Sequence, residues 1–181
     1  MAKEVFVSVD IEASGPVPGT YSMLALGACV VGNDAEQFYA ELRPINEASV
    51  PGAMAVVGKT LEEFRQAGRD PAEAMLAFGT WVKRVSKGGK AVFVGFNATF
   101  DWSFVNWYFD TFQGENPFGV GGLDIKAFYM GVSGCAWDET RSSRLPLKYR
   151  GAEAHTHNAL ADAVEQAGIF ERMARDAGVI K

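Results

Sequence analysis

Residues 5–12 read VFVSVDIE, and this stretch decides the fold. β-Branched and aromatic residues with no Gly or Pro mark a buried strand. The stretch ends in two carboxylates, Asp10 and Glu12. Strand side chains alternate faces, so residues two apart point the same way. A strand that persists to Glu12 therefore projects both carboxylates from one face at its C-terminal end. At about 5 Å and an effective dielectric of about 20, such a like-charge pair costs roughly 3 kcal/mol. A divalent cation between them turns that cost into binding energy. Oxygen ligands without clustered Cys or His favour Mg²⁺ or Mn²⁺ over Zn²⁺. Alone, an Asp-x-Glu closing a strand is usually a solvated strand end, so the reading depends on further carboxylates in matching contexts.

Outward from this strand, residues 13–20 hold two Pro and two Gly and read as a loop. Tyr21–Gly32 is a long apolar strand candidate, Asn33-Asp34 a turn, and Gln37–Pro44 a third strand. Three strands with short connections predict an antiparallel meander. Pro51–Gly58 reads as irregular chain or short helix, and Thr60 with Glu63 has capping-box spacing. Pro71–Val85 carries helical periodicity through Ala74, Met75, Phe78, Trp81, Val82 and Val85. Ala91–Asn97 reads as a buried strand, Thr99–Phe112 as a helix, Gly122–Ile125 as a short strand, and Asn158 to about Ala177 as the last helix. The expectation is one α/β domain spanning 1–181, a mixed sheet with helices packed on it.

Composition narrows the class. The chain has 181 residues, 48% hydrophobic, enough for a substantial core. It shows neither a twenty-residue apolar span nor a charged-then-apolar N-terminus, so no membrane span or signal peptide is expected, and the location expected is cytoplasmic. Cys29 and Cys135 lack metal or CxxC spacing and read as reduced, with Cys29 a small core residue. A net charge of −5 argues against a broad basic surface, though not against local contacts to nucleic acid around an acidic, metal-holding centre.

Two further carboxylates arrive in fitting places. Asp101 follows the apolar strand 91–97 at a helix start, where α/β folds build sites. Asp162 falls in the first turns of the last helix, among Leu160, Ala161, Ala163 and Val164, with Asn158 a plausible N-cap. The chain's two histidines, His155 and His157, both lie just before that helix.

Asp10-Ile-Glu12, then Phe-Asn97-Ala-Thr-Phe-Asp101, then His157-Asn-Ala-Leu-Ala-Asp162 resemble the three exonuclease motifs of the DEDDh, or DnaQ-like, 3′→5′ exonuclease superfamily. The resemblance spans residues 5–175. It implies a ribonuclease H-like three-layer fold, with a five-stranded mixed sheet combining an antiparallel meander and parallel strands. It implies two Mg²⁺ or Mn²⁺ ions held by Asp10, Glu12, Asp101 and Asp162, with Asp10 bridging them. His157 becomes the general base, a task suited to an imidazole near neutral pH. The implied reaction removes nucleoside 5′-monophosphates from single-stranded DNA or RNA 3′ ends. One departure stands out: an acid common in the family's second strand is absent from Leu24-Ala25-Leu26-Gly27.

For substrate contacts the resemblance points to the backbone of Ile11 to Ala13, to apolar wedges at Met23 and Leu24, and to Asn97 and Phe100. Met23 and Leu24 read equally well as core. Seven aromatics in 99–112 cannot share one helical face, so part must be buried under loop 132–154, on bases, or in a homodimer interface. Arg141, Arg144, Lys148 and Arg150 are candidates for a phosphate-binding flap. Two competing functions are a catalytically inactive nucleic-acid-binding module on the same fold and a phosphoesterase for dinucleotide-sized substrates.

Overall fold

The computed structural model describes residues 3–151 and 157–180; His155 lies outside them. The first sheet elements are β1 (Glu4–Ala13), β2 (Met23–Val30) and β3 (Asn33–Glu41). Helices α1 (Pro51–Val57), α2 (Leu61–Ala67) and α3 (Pro71–Ser86) follow. Then come β4 (Lys90–Gly95), α4 (Thr99–Gln113), β5 (Gly122–Asp124) and α5 (Ile125–Ser133). Two 3₁₀ turns, Trp137–Thr140 and Ser142–Arg144, precede α6 (Ala159–Asp176). The sheet order is β3-β2-β1-β4-β5. The meander β1-β2-β3 is antiparallel, while β4 and β5 add in parallel.

The hairpin between β2 and β3 turns two residues earlier than expected. Val30 pairs with Asn33, leaving Val31-Gly32 as the loop, and Gly32 takes φ +76°. A two-residue hairpin needs positive φ, which Gly supplies without steric cost. The capping box forms as expected. Thr60 Oγ1 accepts the Glu63 N–H at 3.2 Å, and Glu63 Oε2 accepts the Thr60 N–H at 2.7 Å.

Alternation along β1 sets up the two sides of the sheet. Val7, Val9, Ile11 and Ala13 pack into a core with α3 and α4, around Phe78, Phe104 and Phe109. Phe6 joins the opposite core, made by Val94 with Ile125 of α5 and Ile169, Phe170 and Met173 of α6. Asp10 and Glu12 share the parity of Phe6 and so face α6. Cys29 also faces α6, its thiol 3.8 Å from the Ala163 carbonyl, and burial with Asp34 nearby pushes that thiol up to about 12.

The aromatic surplus of α4 is absorbed within the chain. Phe104, Tyr108 and Phe109 are buried. Trp102 meets Phe93 of β4 edge-on at 5.2 Å, and Trp107 packs on Tyr108 and Phe112 while abutting Gly19. This corrects the expectation that the surplus needs a flap, bases or a second copy, and removes the argument for a homodimer.

The residues of the expected basic flap have partners within the chain. Arg141 pairs with Asp138, Arg144 with Glu139 and Lys148 with Asp176, at 3.1, 2.5 and 2.5 Å. Arg150 donates to the Leu145 and Ser143 carbonyls. Nearby acids pair with the first three of these charges at the surface, and backbone carbonyls hold the fourth. Among the described residues, no helix is long and apolar enough to cross a membrane.

Candidate active site

The parallel pairing of β1 with β4 stops at Ser8–Val94, so β1 runs on past its neighbour to Ala13. Its backbone on that side would be orphaned, which costs about 1–3 kcal/mol per buried group. Asp101 fills the gap: its Oδ1 accepts the Ile11 N–H at 3.1 Å. The chain reaches Asp101 by a sharp exit from β4 through Asn97 at φ +65°. Asp124 steadies that exit, accepting the Ala98 N–H at 2.6 Å through Oδ2 while its Oδ1 caps α5 at Ala127. Asp124 is absent from the three motifs; the signal that could have found it is an Asp placed between a short strand and a helix, where N-caps occur.

On the other side α6 lies directly on β2. Asn158 caps the helix as expected, its side chain accepting the Ala161 N–H at 3.1 Å. Asp162 is buried on the inner side of the first turns. One turn later Gln166, also buried, bridges two parts of the site. Its Nε2 donates to Asp10 Oδ1 at 2.6 Å, and its Oε1 accepts the Phe96 N–H at 2.8 Å. The only sequence signal for Gln166 was its spacing of four from Asp162, which puts both on one helical face.

Ligand atoms of Glu12, His157 and Asp162 lie within 4.8 Å of one another. His157 is exposed and holds φ +54°, turning the chain immediately before the Asn158 cap. Burial first, then the charges of Asp101, Asp162 and Glu12, push the Asp10 carboxyl well above the ordinary carboxylate range, against the lowering effect of Gln166. Burial raises Asp101 to about 7, opposed by the backbone bonds from Ile11 and its own amide and reinforced by Glu12 and Asp124. Such a set of buried, mutually repelling oxygens suits a hard divalent cation.

This arrangement decides the family when set beside known proteins. No family model matches the chain. A relative from Escherichia coli, the 3′-5′ DNA exonuclease Cap18, is 50% identical over 169 residues, covering 93% of this chain and 90% of that protein. The chain belongs to the DEDDh family of 3′→5′ exonucleases. The nuclease domain of 3′hExo, a DEDDh family member bound to rAMP, shares the fold at TM-score 0.76 and 16% identity, over 98% of this chain and 94% of that one. E. coli exonuclease I in complex with a dA16 oligonucleotide does so at TM-score 0.66 and 22% identity, over 96% of this chain but 41% of that longer one. These two likenesses speak to the fold.

The five site residues expected from the sequence, Asp10, Glu12, Asp101, His157 and Asp162, come from β1, α4 and the entry to α6. The substrate residues expected beside them divide. Met23 and Leu24 are fully buried strand residues, a correction to their reading as wedges. Tyr108 Oη accepts the Met23 N–H at 2.7 Å, which ties even its backbone into the core. Ile11 is likewise a core side chain whose N–H is committed to Asp101, and Ala13 is buried. Asn97 is exposed and Phe100 partly so, against Phe104 at 5.3 Å.

Proposed function

We propose that this exonuclease removes nucleotides one at a time from the 3′ end of single-stranded DNA, releasing nucleoside 5′-monophosphates with two Mg²⁺ or Mn²⁺ ions. The observation that carries the reading is the convergence of Asp10, Glu12, Asp101, His157 and Asp162 at one end of the sheet. The DNA substrate rests on the 50%-identical relative, which bears the name of a DNA exonuclease. The intact set of five residues argues against an inactive binding module.

Asp10, Glu12, Asp101 and Asp162 would hold the metal ions, which when bound acidify a water and neutralise charge on the scissile phosphate. Gln166 ties up one oxygen of Asp10 and leaves Oδ2 directed by that anchor. His157 takes the proton from the attacking water at a ring nitrogen. The water oxygen bonds to phosphorus, the bond from phosphorus to the 3′ oxygen of the preceding nucleotide breaks, and that oxygen leaves with the bonding pair and takes a proton from solvent to become the new 3′ hydroxyl. Asn97 and Phe100, at the mouth of the β4–α4 turn, contact the terminal nucleotides.

The test is hydrolysis of 5′-labelled single-stranded DNA and RNA with Mg²⁺ or Mn²⁺, beside Asp10→Ala. The expected result is a DNA ladder shortening from the 3′ end, abolished by EDTA and by the substitution. Cleavage of neither polymer, or of internal bonds, would overturn the reading; cleavage of dinucleotides alone would favour the small-substrate phosphoesterase.

A further inference from the structure

An exposed aromatic ring and a cation stand together beside the β4–α4 turn. Trp137 is 49% exposed, and Lys126 Nζ lies 4.1 Å from its ring centroid. The same ammonium is 3.5 Å from Asn97 Oδ1, on the turn that delivers Asp101. Trp137 stands on a pinned 3₁₀ turn rather than a loose loop. Thr140, fully buried, donates its hydroxyl to the Trp137 carbonyl at 2.6 Å. Leu145, a few residues on, is buried in the core beneath α6.

Lys126 differs from the other basic residues of this region. Arg141, Arg144 and Lys148 meet carboxylates, and Arg150 meets carbonyls. Among the described residues Lys126 has no carboxylate partner. On a chain of net charge −5, a polyanion approaching the acidic centre needs a local cation on its path. A lysine resting on an indole keeps its charge in one place. Aromatic rings beside such cations are how single strands are held without sequence preference.

We propose that Lys126 and Trp137 form a docking platform for the single strand upstream of the 3′-terminal nucleotide, the indole stacking on a base and the ammonium meeting a phosphate. The platform rests on the exonuclease reading and extends it to the rest of the strand. Charge complementarity and continuity with Asn97 select nucleic acid as the occupant. Each partner contributes separately. The ring contributes stacking that any base satisfies, and the ammonium contributes a salt-sensitive contact.

The experiment compares wild type, Trp137→Ala, Trp137→Phe and Lys126→Gln on single-stranded DNA of two and sixteen nucleotides, over a series of salt concentrations. For Trp137→Ala, KM on the long strand should rise roughly 10-fold, in the range set by loss of one stacked base. The change on the dinucleotide should be much smaller, and Trp137→Phe should recover part of the loss. Lys126→Gln should flatten the log–log salt dependence of long-strand affinity by about 0.7, one phosphate contact on a single strand. Equal effects on both lengths, or none on either, would overturn the platform while leaving the exonuclease reading intact. Wild type inactive on both lengths would overturn both. If Trp137→Ala instead changes the sedimentation coefficient and not KM, the patch joins two copies of this chain and the platform is wrong.

Discussion

Gly27 pairs with Asp10 across β1 and β2, and a Cβ on Gly27 would stand 2.2 Å from the Ala159 carbonyl group at the start of α6. That distance lies far inside van der Waals contact, and what it would meet is backbone, which has no rotamer to yield. The missing side chain therefore lets α6 rest on the sheet at the residue opposite Asp10, bringing Asp162 and Gln166 to it. Gly27→Ala should cost about 1–3 kcal/mol of stability as an overpacking change. Its effect on kcat should be larger than that on stability would suggest, because the helix carrying Asp162 shifts as a unit. Thermal melts beside single-turnover rates check this; a variant that melts normally and cleaves normally would show that the helix has slack.

Gln166 holds one Asp10 oxygen and the Phe96 N–H at once. Gln166→Leu keeps approximate volume and removes both bonds. Outer-shell partners of this kind typically change metal affinity 10–100-fold. Mn²⁺ titration of the folded variant by calorimetry should show weaker binding in that range. Unchanged Mn²⁺ affinity would mean that Asp10 needs no such anchor.

The raised Asp101 carboxyl sets a pH dependence. With its folded value near 7 and an unfolded value of about 4, the protonated form is favoured in the metal-free fold. The stability this contributes is fully present below about pH 4 and is lost as pH rises through about 7. In EDTA, the Tm of wild type relative to Asp101→Asn should therefore fall as pH goes from 4 to 8, since the amide is neutral throughout and still accepts from Ile11. Stabilisation by saturating Mn²⁺ should grow over the same interval, because metal and protons compete for the same oxygens. Parallel melting curves for the two proteins would contradict the shift.

The proposed role of His157 is on the attacking water and not on the fold of the carboxylates. His157→Gln should lower kcat about 10²–10⁴-fold while leaving the melting temperature close to wild type, as expected for loss of a general base at an exposed position. Pre-steady-state cleavage of a labelled strand measures it. A loss below threefold would assign the proton transfer to another group.

The candidate site residues were legible in the sequence because each sits where local structure is self-announcing. Asp10 and Glu12 end an apolar strand, Asp101 opens a helix, and Asn158 caps another four residues before Asp162. The strands and helices followed from period, turn residues and caps, with the β2–β3 turn displaced because Gly32 and not Asn33 takes the positive φ. The wedge assignment of Met23 and Leu24 failed for a general reason. An apolar residue at a strand start looks the same whether it meets a base or a helix, and at Met23 it is α4 that arrives, through Tyr108.

By itself the sequence determined the class of fold, the order of its elements and the carboxylates that gather at one end of the sheet, since these follow from periodicity and from charges that strand ends and helix starts leave in place. Only the tertiary structure decided what orients them. Gln166 reaches Asp10 across 156 positions of chain, and Gly27 matters for an atom it lacks. It also decided that Arg141, Arg144 and Lys148 are held by carboxylates while Lys126, among the described residues, is not. Contacts between residues far apart in sequence leave no local pattern, because pairing energy depends on distance and burial that only the folded chain defines.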